Sequence, residues 1–374
     1  MLRASALAHM RRFDEASDVF AGASRCMEAS NSPALEADLD VAMTPLHLGL
    51  GNLPMVKWAA DRALRPSLRD AVDPKDTHFE PLAHSRGRAF NVHGIVATAS
   101  EDYRTQLICI RECVAELRAA GIPDLWLTAS AMQQLAYHIR DFDLTGDALQ
   151  LKAWLEENDL PEDLAPMRFE MHRALGWSSA LQGDHLGAFR EFRSMTTFAT
   201  TSPYRILASV ERAYLMRELG ETHCAREQIE FAATLVDRVD WNAVGEERIG
   251  LAQLAQEVAA FSPGRARALF DRYRGITSKL PPNALNASDR RARAFERLAE
   301  GTVLRANGSN DAAREAFLAA FTIWDAIGYR WRAATAAIPL AELTASPRFV
   351  KYIRDEGARC PTSWLGRRAQ ASFA

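Results

Sequence analysis

Apolar and small residues recur along this chain at helical spacings of three and four, in blocks broken by Gly, Pro or an Asp/Asn residue. No stretch shows the two-residue alternation of a half-buried strand, so the pattern predicts an all-α protein. The segment RALGWSSALQGDHLGAFREFR, residues 173–193, shows the unit. Leu175-Gly176 falls near the middle of one helix and Gly183-Asp184 breaks it. Ala188 and Phe192 then lie four apart on a second helix. Glycine supplies the left-handed backbone that stops a helix, and Asp caps the next one. Small residues at Gly176 and Ala188 let the two helices approach closely, and Phe192 fills the space beside them. The prediction is a helical hairpin with an apolar seam.

The arrangement repeats. RRFDEASDVFAGA places Phe13, Ala16, Phe20 and Ala23 at second-helix positions, and GLGNLPMVKWAADRAL offers Gly51-Asn52 as the break before Val56, Ala60 and Ala63. Gly94 sits in a first helix followed by Tyr103, Gln106 and Ile110 in a second. Gly220 precedes Ala225, Ile229 and Ala232, while Gly301 and Gly308 precede Ala313, Phe317 and Ala320. Weaker copies fit residues 126–158, 246–278 and 329–358. About nine pairs account for nearly the whole chain, at a spacing longer and more variable than the roughly 34 residues of the standard repeat. Two proline-containing polar stretches, 65–81 and 279–291, are expected to be loops, the second a candidate hinge within one array spanning 1–374.

These residues resemble the tetratricopeptide repeat, with its small residue in the first helix, Gly-Asp-Tyr at the turn, and Ala, Phe and Ala in the second helix. The resemblance implies a right-handed superhelical α-solenoid of about nine helix-turn-helix hairpins, each burying its face against its neighbours, with the first helices lining a concave groove. Reading from Gly94, Gly176 and Gly301, with Gly220 setting a further frame, the exposed groove set is Asn91, Arg173, Trp177, Tyr214, Arg217, Thr302 and Arg305. Arginine and aromatic side chains are the types enriched in binding hot spots; the other reading is that Trp177 and Tyr214 pack between repeats and the arginines are solvated. The set does not reproduce the paired Lys and Asn clamp of chaperone-binding repeats, so those partners are not expected.

Composition narrows the function classes. Of 374 residues, 48% are hydrophobic and 25% charged, an ordinary balance for a protein with a large buried interior. The net charge of -3 gives no electrostatic case for direct nucleic-acid or membrane binding, although from residue 261 onward basic side chains outnumber acidic ones about two to one. No apolar run is long enough to cross a membrane, and five scattered cysteines read as a reduced, cytoplasmic protein. Cys109 and Cys113 lie four apart with no second pair to complete a zinc site, and read as buried packing residues. His78, His84 and His93 have loop-like spacing and no HExxH pattern, so they read as solvated or capping. The acidic pairs Glu156-Glu157 and Glu246-Glu247 are explained by solvation and the helix dipole. No phosphate loop, dinucleotide fingerprint or nucleophile elbow occurs, so neither catalysis nor a cofactor is expected. Asn286-Ala-Ser288 and Asn307-Gly-Ser309 match the glycosylation sequon, without consequence in a cytoplasmic chain.

A second resemblance covers the last sixty residues or so. Trp324, the Gly328-Tyr329-Arg330-Trp331-Arg332 turn and the Ser363-Trp364-Leu365 exit look like the final repeats of the sensor region in large bacterial LuxR-type, MalT-like regulators. The stretch AQASFA after Arg368 is too short for a helix-turn-helix, and no nucleotide-binding loop lies upstream. The resemblance implies a sensor portion of a regulator, a truncated product or an independent repeat protein. The expected function is non-catalytic: a scaffold or sensor binding a protein, peptide or small effector in its groove, in a transcription-regulatory setting. The alternative is a structural protein that self-assembles through its ends and convex face into a homo-oligomer.

Overall fold

The computed structural model describes residues 4, 7 and 12–373, except 29, 51, 101, 122–123, 143, 242–243, 245 and 280–289. Most of the opening segment, Gly51, the Asn286 sequon and nearly all of the 279–291 stretch therefore lie outside the described residues, as does the Glu246 side chain. Every regular element among the described residues is helical. No helix among them is long and apolar enough to cross a membrane.

The chain divides into two compact units, residues 1–135 and 136–374. The first contains α1 (Phe13–Glu28), α2 (Pro33–Ala42), α3 (Thr44–Gly49), α4 (Leu53–Ala63), α5 (Pro66–Asp70), α6 (Phe79–Ala99) and α7 (Tyr103–Ala120), with α8 (Leu125–Phe142) running out of it. The stretch 65–81 is not wholly loop. Pro66 starts the short α5, and Leu68 and Val72 enter the core, because a proline at the first turn costs a helix nothing.

The second unit continues with α9 (Thr145–Glu157), α10 (Ala165–Leu181), α11 (His185–Thr197), α12 (Ser202–Glu218) and α13 (Thr222–Leu235). Then come α14 (Ile249–Val258), α15 (Pro263–Thr277), α16 (Arg290–Ala306), α17 (Asn310–Ala326), α18 (Arg330–Thr344), α19 (Pro347–Arg359) and α20 (Trp364–Phe373). Sequence neighbours pack as hairpins: α10 with α11, α12 with α13, α14 with α15, α16 with α17. The first helices α12, α14 and α16 also pack side by side.

The turns have the chemistry the spacing predicts. Gly183, Gly220 and Gly308 have φ of 82°, 89° and 81°, the left-handed region where a side chain is strained. Asp184 accepts a hydrogen bond from the Gly187 backbone N–H at 2.8 Å, capping α11, and Asn52 caps α4 in the same way. The central small residues act as notches. A Cβ on Gly176 would lie 2.3 Å from the Phe192 ring, and one on Gly301 would lie 2.6 Å from the Phe317 ring. Both phenylalanines are fully buried at these notches.

Candidate functional site

The seven groove residues separate into two groups. Asn91, Arg173 and Trp177 are buried, against the expectation that they face an open groove. Asn91, on α6, accepts a hydrogen bond from Gln134 Nε2 at 2.6 Å. Arg173 and Trp177, on α10, are covered by the chain's own later helices. The Trp177 ring lies 5.2 Å from Trp331 of α18 and 5.7 Å from Tyr214 of α12, and Tyr214 in turn meets Trp364 of α20. Two tryptophans packed at a 33° tilt bury a large apolar area, and the return of α18 closes this position.

Beneath that cluster lies a buried ionic network. Arg173 donates through Nε to Glu211 Oε1 at 2.9 Å, and Trp177 Nε1 donates to Glu211 Oε2 at 2.7 Å. Arg140 pairs with Asp141 at 2.8 Å and with Glu170 at 3.3 Å, and Glu170 also accepts from Arg173. Burial pushes the Glu211 carboxyl up, but Arg173, Arg332 and Arg140 outweigh it and hold it below the ordinary carboxylate range.

Arg332 is the exception in this network. It is only 5% exposed, and its guanidinium carbon sits 4.0 Å from the Trp331 ring centre and 4.9 Å from that of Phe295. Its Nε and Nη2 are buried with no hydrogen-bond partner. Burial lowers its pKa to about 10, with Glu211 and Asp141 countering only in part.

Tyr214, Arg217, Thr302 and Arg305 line one cleft of about 460 Å³ within the second unit. That volume falls in the range of small-molecule sites. Apolar lining comes from Ala259, Ala260, Leu298, Ala306, Ile338 and Pro339. Two charged clusters also face it. Arg217 binds Glu218 at 3.0 Å and Glu257 at 2.9 Å, joining α12 to α14. Arg305 and Arg368 both bind Glu342, at 2.7 and 2.9 Å, joining α16 and α20 to α18. Burial works against the Arg217 charge, but Glu257 and Glu218 raise its pKa. The Glu257 carboxyl is raised, chiefly by burial, despite that partner. A smaller recess of about 20 Å³, room for one water-sized group, shares Tyr214, Gln256, Leu298 and Thr335 with the cleft. It is also lined by Arg332, Glu257 and Gln253, whose Oε1 is buried without a hydrogen bond.

Glu218, Glu257, Glu342, Arg368, Gln253 and Arg332 are lining residues that sequence spacing did not single out. For Glu342 a usable signal exists. The central residue lies seven before the turn glycine in the clear copies: Gly176 before Gly183, Ala213 before Gly220, Gly301 before Gly308. Ala345 has φ 48° and ends α18 where glycine would stand, so the same count gives Ile338, with Glu342 four later, the position Arg305 holds after Gly301.

The other candidates are accounted for structurally. Cys109 and Cys113 are buried on α7, and burial raises their thiols to about 11 and about 12, far from a reactive thiolate. His84 and His93 are not solvated; each is part-buried beside a carboxylate, Asp124 and Asp61 respectively, at 2.9 Å. His78 is exposed at the start of α6, and its backbone N–H donates to Asp76. Asn307 donates to the Val303 and Pro263 carbonyls, so that sequon asparagine braces the α16–α17 turn. No group of three or more His, Cys, Asp or Glu side chains placed to hold a metal occurs among the described residues. Comparison of the sequence with known protein families and with curated proteins finds no match.

Proposed function

We propose that this chain is a non-catalytic sensor or scaffold of the tetratricopeptide type, a right-handed superhelical α-solenoid that binds a small effector or peptide segment in a transcription-regulatory setting. The observation that carries the reading is convergence. Three first helices place the residues one and four after their central position on the same cleft: Tyr214 and Arg217, Thr302 and Arg305, Pro339 and Glu342. Separate helices contributing equivalent positions to one concavity is how repeat proteins build binding surfaces. The cleft favours binding over chemistry because Glu218, Glu257 and Glu342 are all engaged by arginines, none held as a free base.

Binding here would act by population shift. A ligand touching both charged clusters stabilises one separation of α12 and α14 from α16, α18 and α20, and so one curvature of the second unit. The test is a ligand-observed NMR screen of a fragment library against the wild type and two cleft-blocking variants, Thr302→Trp and the more exposed Arg305→Trp. Fragments that bind the wild type are expected to lose their signal with both variants. Undiminished binding to both, or no fragment binding at all, rejects the assignment.

A further inference from the structure

The cleft's charges are unevenly shared. On the α12–α14 side two carboxylates, Glu218 lining the cleft and Glu257 lining the adjoining recess, share the single guanidinium of Arg217. On the opposite set of helices two guanidinia, Arg305 and Arg368, share the single carboxylate of Glu342. One side therefore has a negative charge in excess and the other a positive one, with apolar lining in the same cleft.

Resting on the reading of the cleft as a ligand site, we infer that it takes a small zwitterion of the amino-acid class: its ammonium against Glu218 and Glu257, its carboxylate against Arg305 and Arg368, its apolar side chain over Leu298 and Ile338. A neutral ligand leaves both excess charges unanswered, and a ligand of one sign meets its own sign on one side. The recess adds an independent pointer beside the acidic side. Gln253 Oε1 is a buried acceptor without a donor, and Arg332 has buried donors without an acceptor. Unmatched groups of this kind cost stability until something pairs with them. An ammonium group is water-sized and has three donors, so it suits Gln253 Oε1 and Glu257. The cleft volume admits either a free amino acid or the charged ends of a dipeptide, which share this chemistry.

Calorimetric titration of L-leucine, N-acetyl-leucine, leucinamide and the dipeptide Leu-Leu into the wild type, Glu218→Gln and Arg368→Gln tests this, with Arg305→Gln as a second variant on the basic side. Acetylation and amidation are each expected to weaken binding to the wild type about tenfold or more. Glu218→Gln should remove most of the acetylation penalty and keep the amidation penalty. Arg368→Gln and Arg305→Gln should do the reverse. Tighter binding of Leu-Leu than of leucine assigns the ligand to peptide ends, and the opposite order to free amino acids. Blocked forms that bind as well as leucine, or penalties that ignore the variants, overturn the inference. If neither leucine nor Leu-Leu binds while neutral fragments still lose signal with Thr302→Trp, the zwitterion fails and the ligand site stands. If nothing binds in the cleft, both fail.

Discussion

Two hairpins of the second unit carry the same motif and meet opposite fates. In α10–α11, Gly176 notches against Phe192; in α16–α17, Gly301 notches against Phe317 in the same manner. The residue after each notch is Trp177 in one and Thr302 in the other. Trp177 is fully buried under Trp331 and Tyr214, whereas Thr302 lines an open cleft. The arginines divide likewise: Arg173 is locked to Glu211 in the interior, and Arg305 is a partly exposed cleft residue bound to Glu342. The local motif decides which way a side chain points from its helix. What later elements return to that face decides whether it meets water or protein.

The sharpest break in this comparison is at the position after the notch. Trp177→Ala removes the centre of an aromatic cluster and one of the hydrogen bonds to Glu211, and should cost about 3–5 kcal/mol of unfolding free energy. Thr302→Ala loses a methyl group at the cleft and a hydroxyl bonded to Leu298 O of its own helix, and should cost less than about 0.5 kcal/mol. Chemical denaturation of the two variants measures both. Equal losses would mean that the two hairpins are environmentally alike, contrary to the structure.

Arg173→Met extends the contrast to charge. Breaking a buried pair while leaving its partner behind costs about 3 kcal/mol or more, and here Glu211 is the partner left. Acid sensitivity should change with it. Because Glu211 is held below the ordinary carboxylate range in the folded state, protons bind it more readily in the unfolded chain. Its contribution to stability is therefore full above the unfolded-state pKa and is lost as pH falls through the folded one. Without Arg173 that depression weakens, so thermal denaturation from neutral pH downward should show a shallower acid-side loss for the variant, starting from a lower plateau. An unchanged slope would show that Arg332 and Arg140 hold Glu211 alone.

Much of this was legible in the sequence, for a local reason. Hairpin turns and notches are set by residues a few positions apart, so Gly183, Gly220, Gly308, Asp184 and the Gly176–Phe192 pair could be assigned from spacing alone. The direction of the first-helix positions is local too, which is why Tyr214, Arg217, Thr302 and Arg305 arrive together in one cleft. The burial of Arg173 and Trp177 was not legible. It depends on Trp331, more than 150 residues away, whose ring packs against Trp177 and whose Nε1 donates to the Arg140 carbonyl of α8 at 2.8 Å. Glu342 was hidden for a different reason: Ala345 takes the left-handed turn without the glycine that marks it elsewhere. Arg368 lies beyond the last hairpin, on a helix placed after the repeat pattern.

The notches themselves provide the next test. A methyl group at Gly176 would fall 2.3 Å from the Phe192 ring, and one at Gly301 would fall 2.6 Å from the Phe317 ring. Alanine's better helix propensity offsets about 1 kcal/mol of the resulting strain. Overpacking of this kind costs about 1–3 kcal/mol, so both variants should be destabilised by a modest net amount, Gly176→Ala more than Gly301→Ala. A stabilised Gly176→Ala would show that the ring moves aside and that close approach is not what the glycine supplies.

The smallest effect belongs to the cleft arginine. Arg305 is 40% exposed at its side chain and shares Glu342 with Arg368, so Arg305→Ala leaves that carboxylate still paired. Exposed pairs are worth about 0–1 kcal/mol, and denaturation of Arg305→Ala should fall in that range, against the much larger loss at Arg173. The same residue type at two positions that the sequence pattern assigned to one groove then has opposite weight, structural at the buried Arg173 and dispensable for folding at Arg305. A folding-neutral arginine on a concave, partly apolar surface is free to serve a ligand. If Arg305→Ala instead unfolds the second unit, the α16–α18–α20 cluster is a structural clasp, and the cleft's basic side must be sought at Arg368 alone.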